Sequence, residues 1–288
     1  MAEISAADVM KLRKISGQGM MDCKKALEDS KGDVEEALTI LRKKGLATLA
    51  KRAGRETSEG IVVFKKSNDG KKAAMATLCC ETDFVAKSDD FIAAADALAE
   101  YAMQCAQCQG VTSVMETKID GKTFSEILTE TVSKTGEKTE VGDYVRFELK
   151  TPGIISSYVH FNKKNGAMLI IETDSDKTAN SEAVKRAGSD IAMHITAAKP
   201  LSLNKDGIDP AVIEKERAIA REQVKNKPEN IVEKIVDGKI NKFFSDNCLV
   251  SQPFVKDDKK TVEQVLNEAG KSAGGKAKIT AFVRMDVS

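Results

Sequence analysis

Apolar positions in the first 55 residues recur at three and four, the period of an amphipathic helix. Val9 and Leu12 share one face of a first helix, and Ser5 with Asp8 three residues on resembles a capping box at its start. Gly17-Gln18-Gly19 ends that helix, a second spans about 22–30, and Gly32 stops it. Asp33 caps a third helix carrying Val34, Ala37, Leu38 and Leu41. Gly45 is expected to punctuate it before a basic stretch, 47–55, that reads as a solvated helix or a linker. The pattern predicts a three-helix module over 1–55.

The period then changes. Ile61-Val62-Val63-Phe64 and 73–80 are short strand-like runs, and Ser67-Asn68-Asp69-Gly70 between them signals a hairpin. Ser88-Asp89-Asp90 opens a helix with Phe91, Ala95, Leu98, Ala102 and Cys105 on one face, expected to end at Gly110. A further helix is predicted over 124–133 and a strand over 144–149. An internal repeat follows: Leu78-Cys79-Cys80-Glu81-Thr82-Asp83 matches Leu169-Ile170-Ile171-Glu172-Thr173-Asp174 at an offset of 91. Each copy has a Gly-led strand before it (Gly60, Gly153) and an amphipathic helix after it, the second carrying Val184, Ala187, Ile191, Ile195 and Ala198. Helices packed on antiparallel strands make this an α+β fold with a duplicated core. Asp209-Pro210 starts a helical hairpin over 209–244, broken at Asn226-Lys227-Pro228. Thr261-x-x-Gln264 caps a last helix, and 279–287 reads as a strand that rejoins the core sheet. The expected division is 1–55, 56–150 for the first repeat, 151–208 with 245–288 for the second, and 209–244 for the inserted hairpin.

Composition narrows the function. Lys and Arg number 45 against 44 Asp and Glu, a net charge of +1 over 288 residues, which argues against a surface built to coat nucleic acid. There is no Trp and aromatics are 5%, so base-stacking platforms are poorly supplied. No run approaches the ~18 apolar residues of a membrane span. The first residues carry acids and no apolar h-region, which predicts neither a secretory signal nor a transit peptide and favours the bacterial cytoplasm. The six cysteines then read as free thiols. Cys105-x-x-Cys108 has metal or redox spacing but no second pair, and the two histidines, His160 and His194, add no ligand set, so no metal and no cofactor is expected. No phosphate loop and no nucleophile elbow is present.

Two segments carry a resemblance: Leu12-Arg13-Lys14-Ile15-Ser16-Gly17-Gln18-Gly19-Met20-Met21-Asp22-Cys23-Lys24-Lys25-Ala26-Leu27, and Thr82-Asp83-Phe84-Val85-Ala86-Lys87. Together they closely resemble the elongation factor Ts family, guanine-nucleotide exchange factors for elongation factor Tu, and the resemblance spans the whole chain. Ser16 stands where the family usually has Thr. After His160 the family often has a glycine-rich loop, where this chain has Phe161-Asn162-Lys163-Lys164-Asn165.

The resemblance implies a ubiquitin-associated-like three-helix module that docks on the GTPase domain of elongation factor Tu, with Leu12, Met20, Met21 and Lys24 at its contact surface. It implies that Thr82, Asp83, Phe84, Val85, Ala86 and Lys87 bind the same partner, the Asp-Phe pair wedging between its helices and disturbing its nucleotide-bound Mg²⁺. His160 and Val255 match weaker contacts, and the hairpin resembles the family's coiled-coil protrusion. No covalent step, no direct nucleic-acid contact and no membrane contact is implied. On the residues alone, Met20 and Met21 also read as core, Phe84 as a staple into the next helix, and His160 and His194 as structural. A redox enzyme built on Cys105 and Cys108, or a chaperone-like scaffold using the hairpin, are the other function classes left open.

Overall fold

The computed structural model describes residues 4–224 and 228–287. Asn226 and Lys227, where the hairpin is expected to break, lie outside the described residues.

Helices α1 (Ala6–Ser16), α2 (Met20–Asp29) and α3 (Val34–Arg52) form the N-terminal module. Ser5 accepts from the Asp8 N–H at 3.2 Å, completing the expected capping box, and Asp33 caps α3 through the Glu36 N–H at 2.9 Å. Val9, Leu12, Cys23, Ala26, Leu27, Ala37 and Leu41 close a small core of their own. One expectation is corrected: α3 runs through Gly45 to Arg52. Gly45 marks a crossing, because a Cβ there would sit 2.7 Å from the Thr129 carbonyl oxygen. Glycine costs about 1 kcal/mol against alanine in a helix; here it lets α3 lie directly on a core helix.

The first core unit is β1 (Glu59–Lys66), β2 (Lys72–Cys80), the single turn α4 (Asp83–Ala86), α5 (Asp89–Gln104), α6 (Val111–Glu116), the short strands β3 (Lys118–Ile119) and β4 (Lys122–Thr123), α7 (Phe124–Thr135) and β5 (Thr139–Glu148). Its sheet is antiparallel in the order β1-β2-β5. Gly110 does not end α5, which stops at Gln104, but precedes α6, an element the pattern did not predict. β5 begins five residues earlier than expected, because its first half carries a bulge opposite Ala76–Leu78 that hides the alternation; the Asp143 N–H donates to Thr77 at 2.7 Å there.

The second unit repeats the first: β6 (Gly153–Val159), β7 (Asn165–Thr173), the turn α8 (Asp176–Ala179) and α9 (Glu182–Ala198). Then come α10 (Pro210–Val224), α11 (Glu229–Asn247), β8 (Pro253–Phe254), β9 (Asp257–Thr261), α12 (Val262–Ser272) and β10 (Ala277–Asp286), which joins β7 and β6 in the order β10-β7-β6. The repeat offset is corrected from 91 to 93. Gly60 and Gly153, the cap residues Thr82 and Ser175, and the cap residues Ser88 and Ser181 are each 93 apart. Both glycines face a partner strand so closely that a Cβ would lie 2.1 Å from Leu78 O and 2.4 Å from Ile171 O. Even the bulge recurs, in β10 opposite Ile170–Ile171.

Alternation along the central strands explains the layering. In β2, Ala74, Ala76, Leu78 and Cys80 face α5 and α7, while Ala73, Met75 and Cys79 face the second sheet. In β7, Leu169 and Ile171 face α9 and α12, while Met168 joins Met75 in the seam between the sheets. The result is helix, sheet, sheet, helix. The pair α10 and α11 runs antiparallel with Ala220, Val236 and Ile240 between them and Arg217–Asp237 (3.0 Å) and Arg221–Glu233 (3.1 Å) across it.

His194 is fully buried on α9. Its Nε2 faces Gln252 Oε1 at 2.9 Å and its Nδ1 accepts the Val255 N–H at 3.2 Å, which makes it the neutral Nε2–H tautomer. Burial lowers its pKa below the ordinary 6.5. Below that value the unfolded chain binds a proton that the folded chain excludes, so stability falls as pH drops. The unfolding temperature is expected to decline between pH ~7.5 and ~5.5, and His194→Gln to flatten that decline in this window; an unchanged slope in the variant would refute the assignment.

Candidate functional site

The segment Thr82–Lys87 leaves the end of β2 and makes one helical turn before α5. Thr82 caps that turn, accepting from the Val85 N–H at 3.3 Å. Its own N–H and hydroxyl donate to the Glu137 carboxylate at 3.1 and 2.9 Å. Ser88 closes the other end, its hydroxyl donating to Val85 O at 2.8 Å. Ala86 is buried in the first-unit core and Val85 packs against it. The turn is therefore held on three sides, and its free side carries Phe84, whose surface is 83% exposed. Asp83 and Lys87 pair at 2.7 Å beside it, one helical turn apart. The Lys87 ammonium holds the Asp83 carboxyl below the usual range, with a smaller contribution from Lys164.

Glu81, directly before the cap, ties this turn to the N-terminal module. It takes Arg52 at 2.7 Å, Arg55 at 3.0 Å and the Lys138 N–H at 2.7 Å. Burial pushes its pKa up, but the Lys138 N–H and the two guanidinium groups outweigh this and hold it at about 2.

The duplication supplies a control. At the corrected offset, Asp83 corresponds to Asp176, Phe84 to Lys177, and buried Ala86 to buried Ala179. The expected offset of 91 would set Phe84 opposite Ser175, but Ser175 is the cap residue and matches Thr82. The fold thus needs the capped turn and its buried alanine in both copies, and an aromatic in neither.

The structure brings His160 to the same edge. The loop between β6 and β7 reaches across to β1: the Val62 N–H donates to Lys163 O at 2.6 Å and Lys164 pairs with Glu59 at 2.7 Å. His160 accepts from or donates to Tyr158 at 2.9 Å, and its ring lies 4.4 Å from that of Phe161. Phe161 is 88% exposed. In the sequence Phe161 stands out only as the first residue of the segment that replaces the glycine-rich pattern, directly before the polar run 162–165, and that placement was the available signal.

Met20 and Met21 lie on the surface of the module, 47% and 75% exposed, and Lys24 is exposed near Glu28 at 3.8 Å. Leu12 is corrected: it is fully buried against the other two helices, so its side chain offers no contact surface. Ala86 is corrected in the same way. Val255, 50% exposed, is not gathered with Phe84; it sits on the α9 side of the two sheets, where Phe254 packs on His194. Cys105 is buried, Cys108 exposed, and both are free. Among the described residues no His, Cys, Asp or Glu group is arranged to hold a metal ion, and no helix is long and apolar enough to cross a membrane.

Comparison with known proteins places these features in context. Residues 81–288 match the family model described as Elongation factor TS. The chain is 42% identical over 286 residues to elongation factor Ts of a Nitratiruptor species, covering 99% of this chain and 93% of that protein. It is 43% identical over 296 residues to elongation factor Ts of Nautilia profundicola, covering 100% and 94%. Against elongation factor Ts of Desulfovibrio desulfuricans the identity is 38% over 291 residues, covering 100% and 99%.

Proposed function

The chain belongs to the elongation factor Ts family, a family of nucleotide exchange factors of translation elongation, and we propose that it releases GDP from elongation factor Tu in the bacterial cytoplasm. The observation that carries this reading is Phe84, an aromatic 83% exposed on a turn clamped at Thr82, Ala86 and Ser88, at a position where the duplicate unit has Lys177. A rigid protruding aromatic beside an ion pair suits a wedge into a partner.

The mechanism is linkage rather than covalent chemistry. A protein that binds the nucleotide-free GTPase more tightly than its GDP form lowers GDP affinity by the same factor. The Mg²⁺ that holds GDP in the partner demands near-ideal octahedral geometry, so a small displacement by Asp83 and Phe84 weakens the nucleotide. GTP then rebinds. In this reading residues 1–55 are a ubiquitin-associated-like docking module presenting Met20, Met21 and Lys24. Residues 56–150 and 151–208 with 245–288 are the two core subdomains, the second offering His160 and Val255. The hairpin 209–244 is the family's coiled-coil protrusion. Thr82, Val85 and Lys87 shape and flank the wedge.

The direct test loads elongation factor Tu with fluorescent GDP and adds this chain with excess unlabelled GTP. Release is expected to accelerate with chain concentration and then saturate. Release at the spontaneous rate, at every concentration, refutes the reading.

A further inference from the structure

We propose that Phe161 is a second aromatic anchor for the same GTPase, on a loop that flanks the same end of β1 as the Phe84 turn, and that it seats in an apolar recess of that partner. The proposal rests on the exchange-factor reading of the Phe84 turn and extends it to a loop that departs from the family's glycine-rich pattern.

Single exposed apolar residues are ordinary on protein surfaces. Phe161 differs in that the backbone beneath it is fixed in place. The loop closes on itself through His160 N–H to Asn165 O (2.9 Å), Lys163 N–H to His160 O (2.8 Å) and Lys164 N–H to Asn162 Oδ1 (2.9 Å). Lys163 adopts a left-handed φ of 57° to make that turn, a conformation that is uncommon for a residue with a side chain. Outside contacts then clamp the loop: Lys163 O takes the Val62 N–H (2.6 Å), Lys164 O takes the Val287 N–H (2.9 Å), and Lys164 Nζ pairs with Glu59 (2.7 Å). The His160 ring touches the Phe161 ring at a centroid distance of 4.4 Å with the planes tilted by 49°, and nearly all of the Phe161 side chain is left to solvent. An aromatic on a backbone ordered before binding has only its two side-chain torsions left to fix on docking, a small entropy cost that suits an interface anchor.

Continuity fixes the occupant. Lys164 binds Glu59 at the start of β1, its charge acts on Asp83, and Glu59 in turn acts on Lys87. The Phe161 loop and the Phe84 turn therefore flank the same end of β1, so a partner covering Phe84 meets Phe161.

The test measures binding of elongation factor Tu to the full chain, wild type and variant, by titration at two salt concentrations. Phe161→Ala is expected to weaken binding about 10- to 100-fold, with unchanged thermal stability and with the same ratio at both salts. Phe161→Leu keeps an apolar anchor without the ring contact to His160 and is expected to recover most of the affinity, which separates anchoring from a role in placing His160. If Phe161→Ala binds as wild type while Phe84→Ala is weakened, the anchor is refuted and the exchange-factor reading stands. If wild type itself fails to bind, both fall. Phe161-dependent self-association in sedimentation, with GTPase binding unaffected, assigns the ring to a second copy and also overturns the proposal.

Discussion

Phe84→Ala is expected to cut the stimulated rate of GDP release about 30- to 1,000-fold at subsaturating chain. The range corresponds to the ~2–4 kcal/mol lost when a central aromatic hot spot is truncated. The chain itself should be unperturbed. Phe84 is 83% exposed and lies outside every core cluster, whereas the residues that hold its turn, Thr82, Ala86 and Ser88, are untouched. Surface substitutions of this kind usually shift stability by less than about 0.5 kcal/mol. The duplicate unit provides an internal comparison: Lys177→Ala alters the equivalent turn and should leave exchange unchanged. Stopped-flow release of fluorescent GDP reads both. A Phe84→Ala rate within threefold of wild type would remove the wedge from the mechanism.

Leu12→Ala is expected to melt the N-terminal module while the two-sheet core persists. Truncating a fully buried leucine costs about 2–5 kcal/mol, and a core as small as that of α1–α3 rarely supplies more than about 3–5 kcal/mol. Leu12 is 0% exposed in a cluster of aliphatic residues and one cysteine, none of them larger than itself. Hydrogen exchange should show loss of protection over α1–α3 and retention over β2 and β7. Affinity for the GTPase falls as well, through loss of the surface that displays Met20 and Met21. Met21→Ala, 75% exposed, should weaken binding with protection intact. Lost affinity in Leu12→Ala without lost protection would restore Leu12 as a contact.

Much of this was legible along the chain, for identifiable reasons. Caps at Ser5, Asp33, Ser88 and Thr261 are local hydrogen bonds between residues three apart, so spacing alone reveals them. The periods of the strands and helices name their buried faces, and the turn carrying Thr82–Lys87 stands at a change of period. The repeat was visible but misregistered by two residues, because sequence letters align Glu-Thr-Asp with Glu-Thr-Asp, whereas the backbone aligns cap with cap and glycine with glycine. Gly45 read as a stop because a helix breaker and a close helix crossing call for the same residue.

By itself the sequence determined the α+β class, the three-helix start, the duplication and the segment that presents Phe84, since each depends on contacts within a few residues or on one face's periodicity. Only the tertiary structure decided that Leu12 and Ala86 point inward, that Glu81 fastens the module beside the Phe84 turn, and that the Phe161 loop lies against β1. Those outcomes depend on pairs far apart in the chain, such as Arg52 with Glu81, Val62 with Lys163 and Glu59 with Lys164. Their energies arise from which surfaces the two sheets and the helices bring together, and no local pattern encodes that.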